Sequence, residues 1–217
     1  VPLWMLPQAL VSGNTFVLKP SEQVPYSALK LAVLMKEAGL PDGVFNIVNG
    51  GKEVVEAISD HEMIAAVGFV GSTKVAEIVY DRAGGTGKRV LCLGGAKNHL
   101  VVVPDADLEM TSSNVVASAF GCAGQRCMAA SVMLAVGPVD PIIEGMKGHA
   151  SNMNLGEEMG AIINAESYDR ITRYIDEAEA QGAKVIVDGR GAKVEGADGY
   201  WIGPTIIDGV TAEMPAG

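Results

Sequence analysis

Short apolar runs alternate with helical patterns from one end of this chain to the other. The runs Asn14 to Leu18 (NTFVL), Val44 to Val48 (VFNIV), Ile64 to Val70 (IAAVGFV) and Arg89 to Leu93 (RVLCL) read as strands. Between them, residues 28–39, 52–58 and 72–83 carry apolar side chains near helical spacing, and Gly39 and Pro41 stop the first of these helices. Strands that are apolar throughout and separated by helices belong to parallel sheets with helices on both faces, so the pattern predicts an α/β fold. Gly94-Gly95 marks a boundary. Beyond it, strands at 100–103, 131–136 and 184–187 alternate with helices at about 108–120, 140–150 and 165–181, a second α/β arrangement. The chain shows neither an internal repeat nor a low-complexity linker.

Composition removes several function classes. With 217 residues, 48% hydrophobic and 19% charged, the chain is long and apolar enough to build a sizeable core, which argues against disorder. Sixteen Lys and Arg against 26 Asp and Glu give a net charge of −10, without the clustered cations that nucleic-acid binding needs. No apolar run approaches the roughly 20 residues of a membrane-spanning helix. Three cysteines, an odd number, argue against a disulfide framework and for a reducing compartment, either a bacterial cytoplasm or a mitochondrial matrix. No CxxC pair occurs, and His61, His99 and His149 are scattered, so no metal site is expected. Val1 to Leu6 is apolar without the basic segment of a secretory leader. The chain stops just after a strand-like GPTII phrase and reads as an excerpt of a longer protein.

Cys127 closes the phrase Gly121-Cys122-Ala123-Gly124-Gln125-Arg126-Cys127, in a glycine-containing bend after a helix and directly after a cation. Thiolate chemistry is favoured by a neighbouring positive group, whereas a free cysteine is more often a small buried hydrophobe. Cys92 and Cys122 lack a charged neighbour and are expected in the core. Gly71-Ser72-Thr73 lies between a strand and a helix, where backbone N–H groups attract a phosphate, although a plain serine cap has the same sequence. Lys19-Pro20-Ser21-Glu22 follows a strand and is either a ribose site or a solvated loop pair. A GxGxxG fingerprint is absent.

Taken together, the phrases FVLKPSE, GVFNIVNG, GFVGST, LGGAKN, PDADLE and GQRC, in that order, resemble the aldehyde dehydrogenase superfamily across essentially the whole chain, from Val1 to about Val210. The resemblance implies part of a Rossmann-like NAD-binding domain at 1–93 and part of a catalytic α/β domain at 94–217. It implies that Cys127 is the nucleophile, that Lys19, Glu22 and Gln23 sit at the adenosine ribose, that Ser72 meets the pyrophosphate and that Gly94 lies near the nicotinamide. A homo-oligomer, dimer or tetramer, is implied for the full-length protein.

A branch of the family is indicated as well. VPLWMLPQA, GNTFVLKPSEQVP, FVGSTKVAEIVY, GAKNH, GQRCMA and DGR…KVEG…GYWIGPT look like the CoA-acylating methylmalonate-semialdehyde dehydrogenases. Hydrolytic relatives carry a general-base Glu in ELGGK. Anchored on Lys97 and on Asp105-Ala106-Asp107, that position falls at Leu93, 34 residues before Cys127, or at Cys92 after a one-residue slip. Neither is a carboxylate. Departures exist: CoA-acylating relatives usually have Asn at the Leu93 position, and Asn154 to Gly160 is a few residues short of the family's loop. The family's oxyanion-hole Asn would lie five residues before Val1, and its EIFGP phrase after Met214.

The resemblance therefore predicts that Cys127 thiolate attacks a semialdehyde, NAD takes a hydride, and a Cys127 thioester passes its acyl group to CoA. The β-carboxylate product then loses CO2. The Cys127 N–H supplies half of the oxyanion hole, and Arg126 pairs with the substrate carboxylate or, with equal weight, bonds loop carbonyls. A hydrolytic aldehyde dehydrogenase and a truncated, non-catalytic paralogue are the rival expectations.

Overall fold

A computed structural model describes all 217 residues. They form two compact units, Val1–Gly95 and Ala96–Gly217.

The first unit begins with a short 3-10 turn at Pro2–Trp4 and helix α1 (Leu6–Val11). Two parallel strand pairs follow. β1 (Phe16–Leu18) pairs with β2 (Phe45–Ile47) in the register Phe16 to Phe45, and α2 (Tyr26–Glu37) connects them. β3 (Ala66–Val70) pairs with β4 (Arg89–Leu93), Val67 opposite Val90, with α4 (Thr73–Gly85) as the crossover. α3 (Lys52–Asp60) precedes β3.

Val55 and Ile58 of α3 and Val79 and Ala83 of α4 meet Val67, Phe69, Val90 and Cys92 from one face of the β3–β4 pair. Arg82 on α4 bridges to Glu56 at 2.9 Å and Asp60 at 2.7 Å on α3, which fixes how the two helices lie over the strands. The opposite face departs from the two-sided cover expected for apolar strands. Leu91 and Leu93 are 54% and 38% exposed there, and Met5 approaches the bare backbone of Gly68. Hydrophobicity on both faces of a strand shows what the strand can bury, not which elements of its own unit bury it.

The second unit also opens with a parallel pair, β5 (His99–Val102) and β6 (Val132–Ala135), joined through α5 (Leu108–Phe120). Asp107 caps α5 by accepting from the Met110 N–H at 2.8 Å. α6 (Asp140–Ser151) crosses α5 closely, because Gly145 has no side chain where it faces Ser112. The fully buried Ser112 turns its hydroxyl back to the Leu108 carbonyl at 2.7 Å. Val102, Val115, Val116, Ile142, Met146 and Ala150 form the core of these elements.

α7 (Ala165–Ala180), capped by Asn164, runs into β7 (Lys184–Val187), and β7 pairs antiparallel with β8 (Ile206–Asp208). Arg190 clasps Asp176 and Glu179 of α7 and Asp188 after β7, at 2.6, 2.9 and 2.6 Å. Its hydrogen bonds hold the Asp188 carboxyl below the usual range. The strands thus form three parallel pairs and one antiparallel pair, rather than parallel ladders alone. No helix is long and apolar enough to cross a membrane.

Candidate active site

The residues between α5 and β6 form a tight turn with an unusual backbone. Cys122 and Ala123 adopt left-handed conformations, φ 57° and 53°, and Gly124 follows at 67°. For L-residues with a side chain this costs roughly 1–2 kcal/mol each, so the surrounding contacts must hold it in place. Ala123 shows one of them: its methyl is buried in a cluster with Met159, Ile162, Ile175 and Ile202. The same reversal turns Cys122 out to solvent. Cys122 is therefore not a core residue. Cys92 is half-buried in the β3–β4 cluster, and burial pushes its thiol pKa up, as for a packing residue.

Cys127 lies beyond this turn, exposed. Three side chains fasten the segment to its surroundings, all through main-chain groups. Gln125 donates to the Ala161 carbonyl at 3.1 Å and accepts from the Ile163 N–H at 2.9 Å. Arg126 donates to the carbonyls of Ala117 at 2.8 Å and Gly121 at 3.2 Å, at the C-terminal end of α5. Asn98, just before β5, donates to the carbonyls of Cys127 at 2.8 Å and Ala129 at 2.9 Å.

Of the two roles expected for Arg126, the bonds seen here are those of the loop-holding one. The guanidinium is committed to carbonyls where α5 ends, a favourable place for a cation. Beside it, Asn114, Ala117, Ser118, Arg126 and Met128 line an open cavity of about 290 Å³. The Cys127 N–H bonds no acceptor within the chain.

The residues expected at a dinucleotide lie in the first unit, after the carboxyl ends of strands, where parallel sheets bind ligands. Lys19, directly after β1, donates to Glu22 at 2.9 Å and to the Gly50 carbonyl beyond β2 at 2.8 Å. A backbone hydrogen bond within its own loop and the Lys19 ammonium keep the exposed Glu22 carboxyl below the ordinary range. The Gln23 N–H donates to Ser21 Oγ at 3.3 Å. Ser72 is the N-cap residue of α4, yet its side chain makes no capping bond, which leaves the first-turn N–H groups of a 13-residue helix without a side-chain partner. Gly94 follows β4 and packs against Thr73; a Cβ there would lie 2.9 Å from Thr73 Oγ1. Gly95 N–H donates to the same hydroxyl at 3.0 Å. These features fit a dinucleotide: a carboxylate for ribose hydroxyls and an uncapped helix start for phosphate. No three His, Cys, Asp or Glu side chains gather as metal ligands would.

Sequence reasoning does not single out Asn98 as a contact of Cys127, since the two are 29 residues apart and hydrogen-bond through main-chain carbonyls. Its signal is membership of the LGGAKN and GAKNH phrases. The left-handed turn is also silent in the sequence, because Cys and Ala are not residues that announce it.

The chain as a whole has close relatives among known proteins. The sequence pattern of the aldehyde dehydrogenase family matches residues 1–217, and the chain belongs to that family. Malonate-semialdehyde dehydrogenase 2 of Geobacillus thermodenitrificans is 48% identical over 99% of this chain and 46% of its own length. A crystal structure of methylmalonate-semialdehyde dehydrogenase from Oceanimonas doudoroffii matches with a TM-score of 0.93 at 46% identity, over 100% of this chain and 46% of that one. A Sinorhizobium meliloti protein described as a methylmalonate-semialdehyde dehydrogenase and crystallised with NAD gives 0.93 at 43% identity, over 99% and 46%. The chain thus spans about half the length of the relatives it matches.

Proposed function

We propose that this chain supplies the nucleophile and NAD-binding residues of a semialdehyde dehydrogenase that acts on malonate or methylmalonate semialdehyde and passes the acyl group to CoA. The observation that carries the reading is the state of Cys127: an exposed thiol on a fastened backbone, with its own N–H unspent. Cys127 thiolate adds to the aldehyde carbon. The oxygen that becomes negative is met by the Cys127 N–H, and a donor of this kind is worth roughly 3–4 kcal/mol in such sites. NAD, when bound, accepts the hydride that leaves the resulting thiohemiacetal. What remains is a thioester on Cys127, which the CoA thiol cleaves by exchange, and the β-carboxylate product then loses CO2.

Glu22 accepts from the adenosine ribose hydroxyls, with Lys19 holding the carboxylate in place and Gln23 beside it. Ser72 and the first turn of α4 take the pyrophosphate, and Gly94 keeps the turn after β4 close to Thr73, on the nicotinamide side. The relatives, a malonate-semialdehyde and a methylmalonate-semialdehyde dehydrogenase, support the substrate class, and the NAD-bound structural relative supports the cofactor. Transfer to CoA rests on Leu93, since neither it nor Cys92 can serve as a carboxylate base for hydrolysis.

The test is substitution in the protein that carries this chain. Cys127→Ser abolishes NADH formation, while Cys92→Ser and Cys122→Ser keep most of it. Normal turnover in Cys127→Ser removes the reading.

A further inference from the structure

We propose that Asn98 is a positioning residue for Cys127: one side-chain amide holds the peptide plane that follows the nucleophile. The inference rests on Cys127 being the nucleophile. Two peptide planes flank the Cys127 Cα. The preceding one, which carries the Cys127 N–H, is fixed because its Arg126 carbonyl accepts from Ala129 N–H at 3.0 Å. The following one is fixed because its Cys127 carbonyl accepts from Asn98 Nδ2 at 2.8 Å. With both planes tethered, the backbone dihedrals of Cys127 are restrained, and the thiol moves chiefly by side-chain rotation.

The second donor of the same nitrogen goes to the Ala129 carbonyl at 2.9 Å, so one planar group spans residues 127 and 129. Asn98 is itself anchored, since its own carbonyl accepts from Val132 N–H at 3.1 Å where β6 begins. A primary amide offers two N–H bonds from one atom in fixed directions; a hydroxyl offers one, and a carboxylate offers none and would repel both carbonyls. The residue type therefore matches the task. The preceding plane aims the N–H that meets the developing oxyanion; the following plane, held by Asn98, sets with it the direction in which the Cys127 side chain leaves the backbone, and a misplacement of about 1 Å can cost roughly a hundredfold in rate.

The experiment compares Asn98→Ala, Asn98→Asp and Asn98→Ser with Cys127→Ser in the protein that carries this chain. The readouts are turnover of malonate semialdehyde with NAD and CoA, KM for NAD, thermal midpoint, and carbamidomethylation of Cys127 by iodoacetamide relative to Cys122 in the same molecule. Asn98→Ala and Asn98→Asp lower kcat roughly tenfold to a hundredfold, leave KM for NAD within about twofold and lower the Cys127-to-Cys122 labelling ratio. Asn98→Ser, with one donor left, falls between them and the native protein; if Asn98→Ala does not fold, Asn98→Ser decides. Native kcat and labelling ratio in a folded variant overturn the proposal. So does a loss in kcat no larger than the loss in NAD binding and thermal midpoint, which is the mark of a merely structural residue. Failure of the underlying reading looks different: Cys127→Ser then turns over normally, whatever Asn98 does.

Discussion

The guanidinium of Arg126 occupies the space in which a side chain on Gly121 would begin: a Cβ there would lie 2.8 Å from the Arg126 Cζ and closer still to one terminal nitrogen. Gly121 itself has φ −54° and ψ 131°, a conformation any residue adopts, so the requirement for glycine is purely steric. In Gly121→Ala the flexible guanidinium swings away and relinquishes the carbonyls of Ala117 and Gly121. At a solvent-exposed site the loss of these bonds costs about 1 kcal/mol of stability, while kcat falls by more than that figure implies because the loop loosens. Denaturant melts alongside steady-state kinetics check this, and a fully active Gly121→Ala shows that Arg126 does not hold the nucleophile's loop.

Relief of the left-handed turn separates two neighbouring residues. Cys122→Gly removes side-chain strain of roughly 1–2 kcal/mol and adds a backbone entropy cost of roughly 0.5–1 kcal/mol, for a net gain near 0.5–1 kcal/mol. Ala123→Gly sheds the same strain but also a buried methyl worth about 0.8 kcal/mol, so its net effect is close to zero. Thermal midpoints rank the two variants, and a Cys122→Gly variant less stable than the native chain contradicts the assignment of strain.

Discrimination between NAD and NADP is expected at Glu22. A 2′-phosphate beside this carboxylate meets a like charge, so kcat/KM favours NAD, and Glu22→Gln narrows the preference. Because the carboxyl titrates below its usual range, it stays charged through neutral pH. The preference is accordingly flat above about pH 7 and shrinks as pH falls, first as the 2′-phosphate takes up its second proton at about pH 6 and then through the carboxylate range. Equal kcat/KM for both cofactors in the native protein is the contrary result.

Transfer to CoA has a kinetic signature. Water attack on a thioester gains about 10²–10⁴-fold from a general base, and the position expected to supply one holds Leu93. Rapid mixing without CoA gives a burst of NADH equal to the active cysteine, then slow release that CoA accelerates. Steady, fast formation of free acid without CoA places the chain among hydrolytic enzymes.

Much of the fold was readable in the sequence because it is written in local patterns. The helix expected at 108–120 is Leu108–Phe120, and that at 140–150 is Asp140–Ser151. The helix expected at 28–39 is shifted two residues, to Tyr26–Glu37, since Pro25 rather than the apolar spacing sets its start. α1 carries Pro7 and no charged residue and gave no periodic signal over six residues. At the candidate site, Cys127 is conspicuous between an arginine and a methionine. The contacts that fasten it are not, because their acceptors are carbonyl oxygens common to every residue type. Cys122 shows the same limit: its composition suits a core, and only the sign of φ sends it to the surface.

That last feature has a consequence for how this segment tolerates change. Asn98, Gln125 and Arg126 donate to the carbonyls of Cys127, Ala129, Ala161, Ala117 and Gly121. A carbonyl survives any substitution of its own side chain, whereas a donor does not. In a saturation library, tolerance is therefore lopsided: the exposed Ala117 accepts most residues, Ala129 is restricted only by its burial, and the three donors accept almost none. The chemistry of these bonds is stored on the donor side, and an acceptor such as Ala117, which neither reacts nor packs tightly, is free to drift.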